Sequence, residues 1–146
     1  MELFKDWLTE LDKELNLGGE LVLDEHQRCF LLFDENLLVS IIYHPHENAY
    51  ELKGTLGPIN RLQKKQIHSR LIEANLIGEL NGIAHFAIEK YSEKALLIQS
   101  LTLDTCDYPR FNISLELFVN LFEYWTKNLT SLTTKATQAQ IVGLRV

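Results

Sequence analysis

The sequence predicts an α+β domain with elements in the order α-β-β-β-α-β-β-α, a five-stranded, mainly antiparallel sheet accompanied by three helices. Three observations carry that prediction. Apolar residues recur at helical spacing near both ends of the chain and in its middle, while between these stretches they gather into short continuous or alternating runs. Turns too short to hold a crossover helix divide the runs, so antiparallel neighbours are the economical topology.

Residues 2 to 16 form the first predicted helix. Leu3, Phe4, Trp7, Leu8, Leu11 and Leu15 recur every three to four positions, with Glu2, Asp6, Glu10 and Asp12 between them and acidic groups in the favourable first turn. Gly18-Gly19 then supplies residues free to take positive φ where the helix stops. Strands follow at Cys29–Phe33, Leu37–Tyr43 and from Ala49, separated by Asp34-Glu-Asn36 and His44-Pro-His-Glu-Asn48. The first two of these are apolar at consecutive positions, which implies cover on both faces in the final assembly. Pro58 ends the strand region, and a basic helix over residues 60 to 77 carries Arg61, Lys64, Lys65 and Arg70 and closes at Gly78. Two further strands, Ile83–Glu89 and Ala95–Leu103, lead to a turn at Thr105–Pro109. An aromatic-rich core helix then runs from about Ser114 to Leu129. Residues 131–146, rich in Thr and Gln, are expected as a flexible tail to a single domain over 1–130.

A chain of 146 residues can bury about 70% of the surface its unfolded form exposes, enough for a core of its own. The composition, 46% hydrophobic and 23% charged, is that of a folded protein. A formal charge of −6 repels phosphate backbones and no basic tract offsets it, so nucleic acid is not an expected partner. No apolar run approaches the length a membrane span needs, and no membrane insertion is expected. The acidic, amphipathic start of the chain is unlike a secretory signal. Cys29 and Cys106 match no metal spacing, so free thiols in a reducing cytoplasm are expected.

Catalytic chemistry finds no foothold. His44-Pro45-His46 reads as a turn, and no further ligand for it, or for His26, His68 or His85, falls at a metal spacing. Cys29 sits in an apolar strand and Cys106 in a turn, neither beside an activating base. Glu10, Asp12 and Glu14 read as a solvated helix face, and Gly54, Gly57 and Gly78 do not cluster into a phosphate cradle. The expectation is no enzyme, no metal and no cofactor. The supply of apolar strand residues instead asks for a partner, because a monomer of this size would expose patches that soluble monomers rarely tolerate.

The order of elements, together with Leu56-Gly57-Pro58, Leu71-Ile-Glu-Ala-Asn-Leu76 and Phe118-Val-Asn-Leu-Phe-Glu-Tyr-Trp125, resembles the class I type III secretion chaperones, the CesT-like family, over about residues 1 to 130. That resemblance implies a small, acidic, cytoplasmic bacterial homodimer that binds the N-terminal chaperone-binding region of a secreted effector. It holds the region extended and aids its delivery to the secretion apparatus, with the secretion ATPase as a further candidate partner. Affinity would come from strand addition and from apolar anchors seated in grooves. Effector contact is expected at Leu3, Phe4 and Trp7 on the first helix and at Phe30, Leu32, Leu38 and Ser40 on the first strands. The dimer is expected at Leu71, Ile72, Leu76, Ile98 and Ser100, with Arg61, Lys64, Lys65 and Arg70 facing acidic surface on partner or cargo. A small-molecule-binding or enzymatic α+β domain, and a structural adaptor of the secretion apparatus, are the competing readings.

Overall fold

The computed structural model describes residues 2–58, 61–77 and 84–145, with side chains at 3–57, 62–76 and 84–129. Its elements are α1 (Glu2–Leu15), β1 (Arg28–Phe33), β2 (Leu37–His44), β3 (Ala49–Pro58), α2 (Lys64–Ile77), β4 (His85–Ile88), β5 (Lys94–Thr102) and α3 (Tyr108–Arg145). Short 3-10 turns at Arg61–Gln63 and Leu103–Thr105 lead into α2 and α3. The strands form one sheet in the order β1-β2-β3-β5-β4, every pairing antiparallel. The predicted element order is therefore the observed one. Gly78, the expected helix stop, and Ile83, the expected start of the fourth strand, lie outside the described residues.

One face of the sheet holds the core. Cys29, Leu31, Leu37, Val39, Ile41, Tyr43, Tyr50, Leu52, Ala95 and Leu97 alternate along the strands and are buried beneath the helices. From α1 come Phe4, Trp7, Leu8 and Leu11, and from α3 come Phe111, Leu115, Phe118, Phe122, Trp125 and Leu129 at spacings of three and four. Aromatic rings fill the end where α1 meets α3. Phe4 stacks on Tyr43 and Tyr50 at centroid distances of 5.2 and 5.4 Å, and Phe111 stands edge-on to Tyr50 at 5.1 Å.

The last helix differs most from expectation. It starts at Tyr108, before the expected Ser114, because Asp107 caps it: the Asp107 carboxylate accepts the Arg110 N–H at 2.9 Å, and Pro109 occupies the first turn, where no backbone donor is needed. It also continues past Leu129 to Arg145, through much of the segment expected as a tail. Propagating a helix adds one hydrogen bond per residue once a nucleus exists, and neither Gly nor Pro interrupts the chain between Leu129 and Gly143.

The Leu56-Gly57-Pro58 motif is a bulge. Thr55 pairs with Leu96 and Gly57 with Ala95, which leaves Leu56 as the extra residue, turned into the core, while Gly57 takes φ +117°. At the other end of the sheet, Asp12 is buried, where the sequence suggested a solvated acid. Its two carboxylate oxygens accept the N–H groups of Gly19 and Leu21 at 2.9 and 2.8 Å, tying the loop after α1 to the helix.

Candidate functional site

Among the described residues, the second face of the sheet is not covered at the β1–β2 end. Phe30, Leu32 and Leu38 are 50%, 60% and 51% exposed, and the register sets Leu32 directly opposite Leu38 and Phe30 opposite Ser40. Ser40 is half-buried and stands beside the apolar trio. The consecutive apolar residues of β1 and β2 thus divide between a filled core face and a bare outer face.

β1 is also an edge strand, and its hydrogen-bonding groups can be assigned. The Tyr43 N–H donates to the Gln27 carbonyl at 2.9 Å, so Gln27–Tyr43 is a hydrogen-bonded pair. In the antiparallel register, Cys29 and Leu31 then turn their N–H and C=O groups toward β2, while Arg28, Phe30 and Leu32 turn theirs outward. Asp24 satisfies the first of these. Its carboxylate accepts the Arg28 N–H at 3.0 Å and its own N–H donates to the Arg28 carbonyl at 2.8 Å. The Arg28 N–H holds the Asp24 carboxyl below the usual carboxylate range. Phe30 and Leu32 therefore combine bare side chains with outward backbone donors and acceptors.

The first-helix positions are divided. Leu3 is exposed, but Phe4 and Trp7 are 0% and 5% exposed and belong to the aromatic core, so these two are not available for effector contact. A helix whose apolar stripe is wide must bury most of it, and burying α1 against β2, β3 and α3 claims Phe4 and Trp7 first.

The expected dimer positions fall in three settings. Leu71 is buried in the core, like Phe4 and Trp7, and so is not free to contact a second subunit. Ile72 and Leu76 are exposed on α2. Ile98 and Ser100 stand on the outer face of the sheet, in register with Lys53 and Glu51. Beside α2, His68, Leu71, Ile72 and Asn75 with Phe86, Ala87 and Ile88 line a groove of about 100 Å³. Two basic residues of α2 contact groups of their own subunit. Lys64 pairs with Glu93 at 2.8 Å, and the Arg70 guanidinium lies 5.1 Å from the centroid of the Trp125 ring. Lys65 is exposed, and the Arg61 side chain lies outside the described residues.

Cys29 is unreactive by environment. Burial, with Asp24 adding to it, pushes the Cys29 thiol up to about 12. Burial also raises the Cys106 thiol. Among the described residues no three His, Cys, Asp or Glu side chains gather as a metal site, and no helix is long and apolar enough to cross a membrane.

Sequence reasoning missed three positions. Gly54 lies under the Phe122 ring, Asn75 holds both backbone groups of Phe86, and Asp24 caps β1. An Asp four residues before the start of an apolar strand, and an Asn inside a helix where its propensity is poor, were the available signals.

A small sheet with its three helices in this order and an apolar strip exposed on its outer face agrees with the resemblance, and the family comparison decides it. The model of the Tir chaperone protein (CesT) family matches residues 6–126. The chain belongs to the CesT family. Comparison with curated protein sequences finds no match. Among solved structures, the chain resembles one in the HopA1–SchA chaperone–effector complex, with TM-score 0.72 and 17% identity over 86% of this chain and 94% of that one. It is similar to a chain of the ExsC–ExsE complex, with TM-score 0.72 and 20% identity over 84% and 90%. A chain of the ExoT–SpcS complex from Pseudomonas aeruginosa gives 0.60 and 19% over 84% and 96%. At such identities these likenesses show the CesT-type fold.

Proposed function

We propose that this CesT-family chain is a chaperone of type III secretion that binds the N-terminal segment of an exported effector and keeps it extended for delivery. The observation that carries the reading is the strip of Phe30, Leu32 and Leu38 beside the outward backbone groups of β1. An extended polypeptide offers what both features lack: alternate apolar side chains for the bare face and a row of donors and acceptors for the edge. The work is physical. Many weak contacts offset the ordering of the cargo segment, and no bond is made or broken. The family setting supports a non-enzymatic, cytoplasmic protein, with the secretion ATPase as a candidate second partner.

The cargo-binding form in this reading is a homodimer. Ile72 and Leu76 on the exposed side of α2, next to the groove lined by Leu71 and Phe86, are its proposed contacts, with Ile98 and Ser100 as secondary positions. Ser40, opposite Phe30, and Leu3, exposed on α1, are further proposed cargo contacts.

The test is co-expression with the first hundred or so residues of secreted proteins encoded near the chaperone gene. A soluble, stoichiometric complex lost on removing the cargo's N-terminal segment is the expected result. Failure of every such segment to form a complex, while the chaperone itself is folded, overturns the reading.

A further inference from the structure

A five-stranded open sheet has two edges, and the structure treats them differently. At β4 the Glu89 N–H donates to the Lys94 carbonyl at 2.9 Å, which makes Glu89–Lys94 a hydrogen-bonded pair. Counting back by twos in the β4–β5 register, Ala87 and His85 face β5, so Phe86 and Ile88 turn their N–H and C=O groups outward. The Asn75 side chain meets Phe86 there with both ends of its amide. Its Oδ1 accepts the Phe86 N–H at 2.8 Å and its Nδ2 donates to the Phe86 carbonyl at 3.1 Å. A primary amide used in this way reproduces the two bonds that a neighbouring strand would make. On the opposite edge the cap stops at Arg28, which Asp24 holds, and leaves Phe30 and Leu32 unpaired among the described residues.

We propose that Asn75 is an edge guard: by taking both outward backbone groups of Phe86 it closes β4 to an incoming extended chain and assigns strand addition to β1, at Phe30 and Leu32. The inference rests on the chaperone reading for its cargo, but the guard is a property of the fold. β4 spans four residues and has only two outward sites, so blocking one leaves no consecutive alternate pair for a strand to grip. β1 keeps two, and residues of an added strand directly opposite Phe30 and Leu32 share their face with Leu38. The partner this edge fits is an extended segment with apolar residues at i and i+2.

The experiment is hydrogen exchange on the full chain, alone and with reduced, carboxymethylated α-lactalbumin as an unfolded probe. In the native protein the Phe86 amide is protected without the probe, and the probe slows exchange at Phe30 and Leu32. In Asn75→Ala the Phe86 amide exchanges faster by about tenfold, and the probe then protects it. Asn75→Asp, which keeps an acceptor for the Phe86 N–H but loses the donor to its carbonyl, retains most of the protection and serves if the alanine variant does not fold. An unchanged Phe86 amide in Asn75→Ala, or probe protection at Phe86 in the native protein, overturns the guard while leaving cargo capture standing. Protection by the probe at neither edge overturns strand capture itself, and with it the assignment to β1.

Discussion

The Phe122 ring lies where a side chain on Gly54 would begin: a Cβ at Gly54 would stand 2.7 Å from Cε2 and Cζ of that ring. α3 therefore rests directly on the backbone of β3, and Phe122, itself buried, cannot swing clear without displacing the core helix. Gly54→Ala should destabilise by about 1–3 kcal/mol, the usual cost of overpacking a filled core. Urea unfolding measures it. The cost should shrink in a Phe122→Leu background, where the ring is gone, and additive costs would show that the two residues do not press on each other.

Asp12 provides a second stability test with a different cause. Two backbone N–H groups, of Gly19 and Leu21, depend on its carboxylate in a buried setting. Asp12→Ala leaves both unsatisfied and should lose about 2–4 kcal/mol, taking about 1–2 for each charge-assisted bond. By contrast, Glu10→Ala, an exposed position on the same helix, should fall within about 0.5 kcal/mol of the parent. Equal midpoints for the two variants would contradict the buried role.

Cargo binding and stability should separate on two groups of apolar residues. Phe30, Leu32 and Leu38 are at least half exposed, so changing them to Ser should alter stability by less than about 0.5 kcal/mol each. Together they should weaken cargo binding by more than tenfold, on the order of 1.4 kcal/mol. Phe4→Ala and Trp7→Ala should instead cost about 3–5 kcal/mol of folding free energy, because both rings lie in the core. Thermal melts and calorimetric titration of a cargo segment, run on the same variants, distinguish the two groups.

The proposed dimer makes an equally direct prediction. Ile72→Glu with Leu76→Glu puts charge on the exposed side of α2 without touching the core. Light scattering should fall from twice the chain mass of 16.9 kDa to that mass, with an unchanged circular dichroism spectrum. A parent protein that is already monomeric across micromolar concentrations would refute the dimer.

The periodic elements were legible because their signals are local. The repeat of three and four through Leu115, Phe118, Phe122 and Trp125, and the short turns between strands, depend only on neighbours in sequence. The division of the site residues was not legible, since Phe4 and Phe30 look equally apolar in sequence, and only the packing of α1 against α3 decides which is buried. The same holds for Gly54 and Asn75, whose partners Phe122 and Phe86 lie on other elements. Asp107 could have been read as a helix cap, because the aspartate and the proline two residues on carry that information locally.

Cys29 sets the alkaline limit of stability. Its thiol is raised from 9.0 to about 12 by burial in the β1 core face, with Asp24 adding to it, so the folded state keeps its proton where the unfolded chain gives it up. A raised pKa of this kind contributes stability that is complete below pH 9 and is lost as pH climbs toward 12. Each pH unit in that window should remove up to about 1.4 kcal/mol through this one group. Burial shifts the Tyr50 hydroxyl upward in the same sense, so its loss begins above pH 10 and steepens the fall. Guanidinium midpoints measured at intervals from pH 8 to 11 test the sign. The curve should be flat to about pH 9 and descend beyond it, and Cys29→Ala should make the descent between 9 and 10 shallower, leaving the part that the raised Cys106 thiol contributes. A stability that rises over that interval would mean the thiolate is favoured in the fold, contrary to its position between the sheet and the helices. The same burial predicts the thiol count: with an aromatic disulfide reagent at pH 8 the native protein should react at half-buried Cys106 alone, more slowly than a free thiol because burial raises it too, and at both cysteines only once unfolded.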